Sequence, residues 1–341
     1  MSLFRQTVRI GFIVSALLLC TLLIYSYRTY LKHPTNSSFL VRGSHALDKK
    51  LSYSQTWLAI AEEKWTYPAR NQNNTASPKS NEISSISNGI SEENRCVPRK
   101  NIVFFKMHKC SSSTVQNILF RYGEENQLDF VLPRRGNYLG DMNSVFHKRV
   151  MMKFPVKKYN ILCHHTRFSY KGMREVMASD VVYTSIIRDP VAMYESLFTY
   201  LDMAGLYSLP KHKALEMFLE EPDYYYDIAH GGKCKARNPM LFDLGLEEAA
   251  LGDRIRINKK IEQLEKQFDL VLLTEYFDES LILLRNFMCW DMENIVYFVL
   301  NARNKSSVKA VSPKMADKIQ KWNFGDVKLY DTFNRTFWKK S

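Results

Sequence analysis

The sequence predicts an α/β domain with a central parallel sheet and helices on both faces, preceded by one N-terminal transmembrane helix. Three observations predict it. From about residue 96 onward, apolar runs of strand length alternate with stretches of helical periodicity, the pattern of a parallel sheet. Cations, imidazoles and hydroxyls come directly after the strand-like runs, at the strand ends where such sheets bind ligands. Near the N-terminus, 18 residues from Ile10 to Tyr27 carry no charge, the length of a short membrane span.

Taken in order, residues 1–9 form a short tail and residues 10–27 the span. The run is long for the apolar region of a cleaved signal peptide, and no small-x-small cleavage site follows it, so it reads as an uncleaved signal anchor. Arg5 and Arg9 before it nearly balance Arg28 and Lys32 after it, so flanking charge does not set the orientation. Four glycosylation sequons, at Asn36, Asn73, Asn304 and Asn334, all lie beyond the span and are usable only if that side is lumenal. The expected arrangement is therefore type II. Residues 28–95 read as a stem, with a solvated stretch rich in Asn and Ser from Asn71 to Asn94 and enough apolar residues in Leu51 to Trp65 for a short helix. Of six cysteines, five follow the span, an odd number without metal-ligand spacing; one or two disulfides are expected, without an assignment.

The domain proper spans 96–341. Ile102 to Phe105, Tyr159 to Cys163, Val181 to Ile187 and Leu270 to Leu273 read as strands. Helical periodicity appears over Ala192 to Met203, Lys213 to Leu219, Arg254 to Phe268, Asp278 to Met288 and Pro313 to Trp322.

The stretch from Asn101 to Gly123 organises the rest. Between its strand and its helix lies Lys106-Met-His-Lys-Cys-Ser-Ser-Ser-Thr114, a loop of cations and hydroxyls without a carboxylate. A strand feeding a helix this way points free N–H groups and the positive end of the helix dipole at one spot, which suits a phosphate or sulfate. Lys106 and Lys109 add charge; Ser111, Ser112, Ser113 and Thr114 add hydroxyl donors. The bland reading is an ordinary Ser-capped helix. Two lysines with four consecutive hydroxyl residues weigh against it.

Two more strand ends feed the same crevice. One carries His164-His165-Thr166-Arg167, where adjacent histidines on extended chain face opposite ways and only one reaches the crevice as a general base. The other carries Arg188-Asp189-Pro190 and, eight residues after the arginine, Ser196, suited to a second phosphate. The net charge of +13 calls for an anionic partner, but the basic residues are interspersed with acidic ones and no nucleic-acid arm stands out. The loop has no glycine and no Gly-Lys-Ser/Thr ending, which argues against an ordinary NTPase or kinase.

These residues resemble the galactose 3-O-sulfotransferase family, its galactosylceramide-sulfating members included. The resemblance rests on FFKMHKCSSSTVQNILFRYG, CHHTRF, TSIIRDPVAMYESLFTY, NPMLFDLG, LLTEYFDESLILL, CWDMENIVYFVLNAR and WNFGDVKLYDTFNRTFW, collinear over about 96–338. Met107, Cys110, Ser111 and His164 depart from the family's usual Thr, Thr, Ala and Asn. The resemblance implies a P-loop-like sulfotransferase fold and 3′-phosphoadenosine 5′-phosphosulfate as donor. It puts the 5′-phosphosulfate on Lys106, Lys109 and Ser111 to Thr114, and the 3′-phosphate on Arg188 and Ser196. Lys109 would stabilise the leaving group, His165 would be the base by family register, and no metal is implied. It also implies a Golgi membrane protein held through residues 10–27, and a terminal β-galactose on a glycolipid or glycoprotein as acceptor. The acceptor-facing segments are expected in Pro133 to Met152 and Tyr200 to Pro239. Transfer to another glycan hydroxyl, or a membrane-anchored glycan-binding protein without catalysis, are the competing readings.

Overall fold

Ile102, Val103, Phe104 and Phe105 offer water no polar face, so their stable place is a central strand covered above and below. The computed structural model, which describes residues 96–141, 143–228, 233–298 and 310–340, puts them there. They form β1 (Ile102–Phe105), joined by β2 (Ile161–Leu162), β3 (Val182–Ile187) and β4 (Leu270–Leu273) in the order β2-β1-β3-β4. All three pairings are parallel, with Ile102 opposite Ile161 and Val182, and Thr184 opposite Leu270. Every residue of the four strands is buried, so both faces of the sheet are covered.

The main helices are α1 (Ser112–Glu125), α2 (Pro190–Tyr200), α3 (Pro239–Asp243), α4 (Arg254–Gln267), α5 (Phe277–Met288), α6 (Pro313–Trp322) and α7 (Phe324–Lys340). α1 buries Val115, Ile118, Leu119 and Tyr122, the apolar stripe expected of it. Asp189 caps α2 by accepting from Ala192 N–H at 2.9 Å, with Pro190 in the first turn where its missing N–H costs nothing. Each buried large side chain in this core contributes roughly 1.5–3 kcal/mol. A satellite cluster around Tyr194, Phe198, Phe218 and Trp322 ties α2 to α6.

Several boundaries differ from the sequence expectation for local reasons. The strand expected over 159–163 shrinks to Ile161–Leu162, because Tyr159 turns to bridge Met177 instead of extending the sheet edge. The helix expected over 192–203 starts at Pro190 and stops at Tyr200, since Asp202 adopts a left-handed φ of 46° before a new short helix at Met203. α7 is additional; its buried Leu329, Phe333 and Phe337 recur every four residues, the stripe that periodicity alone would have found. Cys96 and Cys289 form a disulfide, while Cys110 and Cys163 are buried thiols. Asn334 lies on α7, where its side chain accepts a hydrogen bond from Trp338 Nε1 at 3.0 Å. The expected anchor, the stem and the sequons at Asn36, Asn73 and Asn304 lie outside the described residues.

The chain leaves β1, visits β2 on one side, then returns to β3 on the other. Between β1 and β3 the sheet therefore has a topological switch point, and its crevice opens at their carboxyl ends.

Candidate functional site

Two strand ends meet at that crevice. The β1 loop, residues 106–111, holds a left-handed backbone at Lys109 (φ 58°) and Ser111 (φ 55°). Neither is glycine, so each costs of order 1–3 kcal/mol, a strain found where a loop is shaped for a ligand. The loop is pinned from below: Met107 and Cys110 are buried, Cys110 Sγ contacts the His108 carbonyl, and Ser112 Oγ donates to the Met107 carbonyl at 2.6 Å. Cys110 thus serves the underside of the loop, and its departure from the family's Thr removes no exposed hydroxyl. The Ser112 hydroxyl is committed inward, whereas Ser111 is exposed and its side chain makes no cap hydrogen bond.

From above, Arg188 at the end of β3 donates to the Lys109 carbonyl at 3.2 Å. Lys106 is only 1% exposed and donates to Ser113 Oγ at 2.8 Å. Burial pushes its ammonium down to about 8. A desolvated cation without a carboxylate partner in its own loop is stabilised by an arriving anion. The Lys109 ammonium lies 4.5 Å from the centre of the Tyr200 ring. Hydrogen bonds thus bring Lys106 to Ser113, Arg188 to the Lys109 carbonyl and His165 to the Lys106 carbonyl, around the carboxyl ends of β1 and β3. Thr114 is buried in the first turn of α1 and Ser196 in the second turn of α2, and among the described residues no hydrogen bond is seen from either side chain to that group.

The two neighbouring histidines do face opposite ways. His164 packs against Phe120 at 5.5 Å, and burial, then the Lys106 charge, pushes it down to about 4. His165 faces the crevice, where its Nδ1 donates to the Lys106 carbonyl at 3.0 Å. That bond fixes the tautomer and leaves Nε2 as an acceptor. Burial, then the charges of His108 and Lys106, pushes its imidazole down to about 2.

A second group of residues, to which sequence reasoning gave no role, surrounds His165. His108 stacks on it with ring centres 4.3 Å apart, and Tyr138 stacks on its ring at 5.0 Å. His108 Nδ1 donates to Asp243 Oδ2 at 2.5 Å, across 135 residues of sequence. Its Nε2 receives the Tyr138 hydroxyl at 3.3 Å. Asp243 Oδ1 accepts from Lys235. Burial raises the Asp243 carboxyl, but His108 and Lys235 together overcome this and hold it well below the usual carboxylate range. Burial, then Tyr200, pushes the Tyr138 phenol up to about 12, so it stays a donor.

Asp243 owes its position to the C-terminal helix. α3 begins at Asn238 in a left-handed conformation without a side-chain cap. Asp326 of α7 supplies the cap, accepting from Met240 N–H at 2.9 Å and Leu241 N–H at 3.0 Å. Tyr138, Tyr200 and Lys235 come from the two segments expected to face the acceptor. His108 carried one usable signal, its place between the two loop lysines. Asp243 carried none beyond membership of the motif NPMLFDLG, and Lys235 none beyond its place in the segment expected to face the acceptor.

Among the described residues, no group of three or more His, Cys, Asp or Glu side chains is arranged to hold a metal ion. What the arrangement offers chemically is an anion cradle on one side and an oriented imidazole pair on the other.

Sequence comparison gives this geometry its relatives. A sequence model of the galactose-3-O-sulfotransferase family matches residues 4–341. Galactosylceramide sulfotransferase of Mus musculus is 40% identical over 248 residues, 72% of this chain and 58% of that protein. The Homo sapiens galactosylceramide sulfotransferase is 36% identical over 269 residues, 78% of this chain and 63% of its own. Galactose-3-O-sulfotransferase 2 of Mus musculus is 37% identical over 248 residues, 71% and 62% respectively. The chain thus spans about three fifths of the length of these relatives. A solved sulfotransferase from Alicyclobacillus acidocaldarius, 12% identical, aligns over 70% of this chain and 97% of its own with a TM-score of 0.37, too low to bear on the fold.

Proposed function

The chain belongs to the galactose-3-O-sulfotransferase family, and from that premise we propose that it transfers a sulfuryl group to the 3-hydroxyl of a terminal β-galactose. The donor is 3′-phosphoadenosine 5′-phosphosulfate, whose phosphosulfate anhydride supplies an activated sulfuryl group and a phosphate leaving group. The observation that carries this reading is one loop that holds cations without carboxylates and, within it, an imidazole bound to the distant Asp243 carboxylate and stacked on His165.

In this reading Lys106, Lys109 and the start of α1, Ser111 to Thr114, hold the phosphosulfate. Lys109 meets the negative charge that develops on the leaving oxygen. Arg188 and Ser196 hold the remote 3′-phosphate. The galactose 3-hydroxyl attacks sulfur, the bond from sulfur to the bridging oxygen breaks, and the hydroxyl proton passes to an imidazole Nε2.

Family register gives the base role to His165. The geometry favours His108, because only His108 has a carboxylate to orient its ring and to balance the imidazolium that forms. His165, its imidazole pushed down chiefly by burial, has its Nδ1–H committed to the Lys106 carbonyl and stacks on the His108 ring.

The proposed acceptor is a galactosylceramide-type glycolipid, following the relatives of that name, with glycoprotein galactosides as the second arm of the test. The proposed setting is the Golgi lumen, with residues 10–27 as anchor and N-glycans on the lumenal sequons. The Cys96–Cys289 disulfide supports an oxidising compartment.

The experiment incubates the purified full chain with the donor and a panel of galactosides, then locates the sulfate on the product sugar. Sulfate at the 3-position of galactose, with tight binding of adenosine 3′,5′-bisphosphate, is expected. Nucleotide binding with sulfate on another hydroxyl would move the acceptor assignment. No nucleotide binding would remove the enzyme reading altogether and leave a glycan-binding protein.

A further inference from the structure

The base cluster contains one cation that the transfer chemistry does not use. Lys235 is 2% exposed, close to fully desolvated, and such a charge is costly unless paired. Its ammonium donates to Asp243 Oδ1, while His108 takes Asp243 Oδ2. The same ammonium stands 3.5 Å from His108 Nδ1 and 5.4 Å from the centre of the Phe242 ring. One carboxylate is therefore shared between a lysine and an imidazole that also face each other.

The backbone around Lys235 is fixed, so this approach is built in. The neighbouring Ala236 carbonyl accepts from Tyr194 OH at 2.7 Å and from Trp322 Nε1 at 2.6 Å, two buried donors on α2 and α6. On the other side, Arg167 Nε donates to the Phe242 carbonyl at 3.0 Å and Nη2 to the Leu246 carbonyl at 2.8 Å, with its guanidinium 3.8 Å from the Phe242 ring centre.

A carboxylate beside an imidazole favours the imidazolium, and a base that is already protonated takes no proton. An ammonium on the same carboxylate opposes this. We propose that Lys235 is a positioning residue that keeps His108 neutral, with Nδ1–H directed at Asp243 and with Nε2, which accepts from the Tyr138 hydroxyl in the unliganded protein, taking the acceptor's proton once the acceptor hydroxyl replaces that partner. This rests on the reading of His108 as the base. The other charged or titratable groups around His108 and Asp243 are Tyr138 from the loop after α1 with Tyr200 beside it, His165 from the end of β2, Lys106, Lys109 and Cys110 from its own loop with Arg188 behind Lys109, and Asp326 of α7, which burial and then the Asp243 charge push up to about 7. Among the described residues, the side-chain hydrogen bonds to the Asp243 carboxylate come from His108 and Lys235.

The test uses the full chain and two readouts. The first is the pH profile of kcat/KM with a galactosylceramide acceptor. The second is the titration of the His108 imidazole by ¹⁵N NMR, assigned through its loss in His108→Gln. In Lys235→Met the acid limb of the profile and the His108 midpoint are both expected to rise, by about one to three pH units. Lys235→Arg, which keeps the charge, is expected to stay within about half a unit of wild type. An unmoved or lowered midpoint in Lys235→Met overturns the proposal. Should that variant fail to fold, Asp243→Asn provides a background in which adding Lys235→Met leaves no unbalanced buried charge. There too the midpoint must rise, and a static one overturns the proposal. The parent reading fails separately: a midpoint that moves as expected while His108→Gln retains full turnover keeps the tuning and removes the base.

Discussion

The proposed donor cradle and the proposed base cluster adjoin each other but are made in opposite ways. The cradle is a single run, Lys106 to Thr114, shaped by the strand before it and the helix after it, with Arg188 and His165 as distant supports at the Lys109 and Lys106 carbonyls. The base cluster gathers His108, Tyr138, His165, Lys235 and Asp243 from four separate segments, and α7 caps the helix that carries its carboxylate. Contiguous sites tolerate repacking far away, because their geometry is local. Assembled sites inherit every error in the packing between elements. Changes in the cradle should therefore show in donor affinity, and changes in the cluster in kcat.

Lys109→Ala is expected to have the largest effect, because this residue belongs to both sides of that division. It should lose donor binding and leaving-group stabilisation together, about three to five powers of ten in kcat/KM. Wild-type-like transfer by this variant would erase the proposed site. His108→Ala comes next, lowering kcat by about two to four powers of ten while donor Kd stays within about twofold. His165→Ala should be the milder of the two, and the reverse order would return the base role to His165. Arg188→Ala belongs wholly to the cradle. Its donor KM should rise by about one to two powers of ten with kcat nearly kept, whereas a loss of kcat at unchanged donor Kd would show the nucleotide misplaced.

The smallest effect is a pH dependence confined to the cradle. Lys106 has its ammonium lowered to about 8 in the unliganded protein, and a bound anion raises it again. The charged form that binds the donor is thus complete below about 8 and is lost as pH climbs through it. Donor Kd, measured by calorimetry, should then worsen by up to about tenfold per pH unit above 8, and Lys106→Arg should flatten the curve. A flat curve in the wild type would mean that the buried ammonium does not meet the donor.

How much of this was legible in the sequence follows the same division. β1, β4 and α6 lie where the apolar runs and the periodicity placed them, since these signals are local. The residues of the proposed cradle stand out for that reason too, since cations and hydroxyls between a strand and a helix are a local signal. Asp243 was not. A carboxylate two residues before a glycine looks like any helix end until a partner 135 residues away comes into contact. Lys235 was invisible for a related reason, because a lysine among lysines and glycines reads as solvated surface. His165 was singled out by register and its neighbour His108 was not, since only the folded contact with Asp243 shows which imidazole is bound to a carboxylate. α7 was missed although its stripe was present, because its motif was read for likeness and not for period.

The disulfide determines how the domain would take a pull on its leading end. Cys96 is covalently tied to Cys289 just beyond α5, and the next turn of chain is fastened to the same place. Arg99 N–H donates to the Met288 carbonyl at 2.8 Å, and Trp290 Nε1 to the Arg99 carbonyl at 3.0 Å. The crevice lies at the opposite, carboxyl end of β1. Tension applied at residue 96 therefore passes through the sulfur bridge into the end of α5, and β1 with its loop carries little of it. Drawn at that residue in an optical trap, the oxidised domain should yield at high force and the reduced one by stripping β1 from the sheet. Equal rupture forces before and after reduction would show that the bridge bears no load. With the bridge intact, a pull on residue 96 is borne by the sulfur bridge and the end of α5, and the loop after β1 stays out of its path.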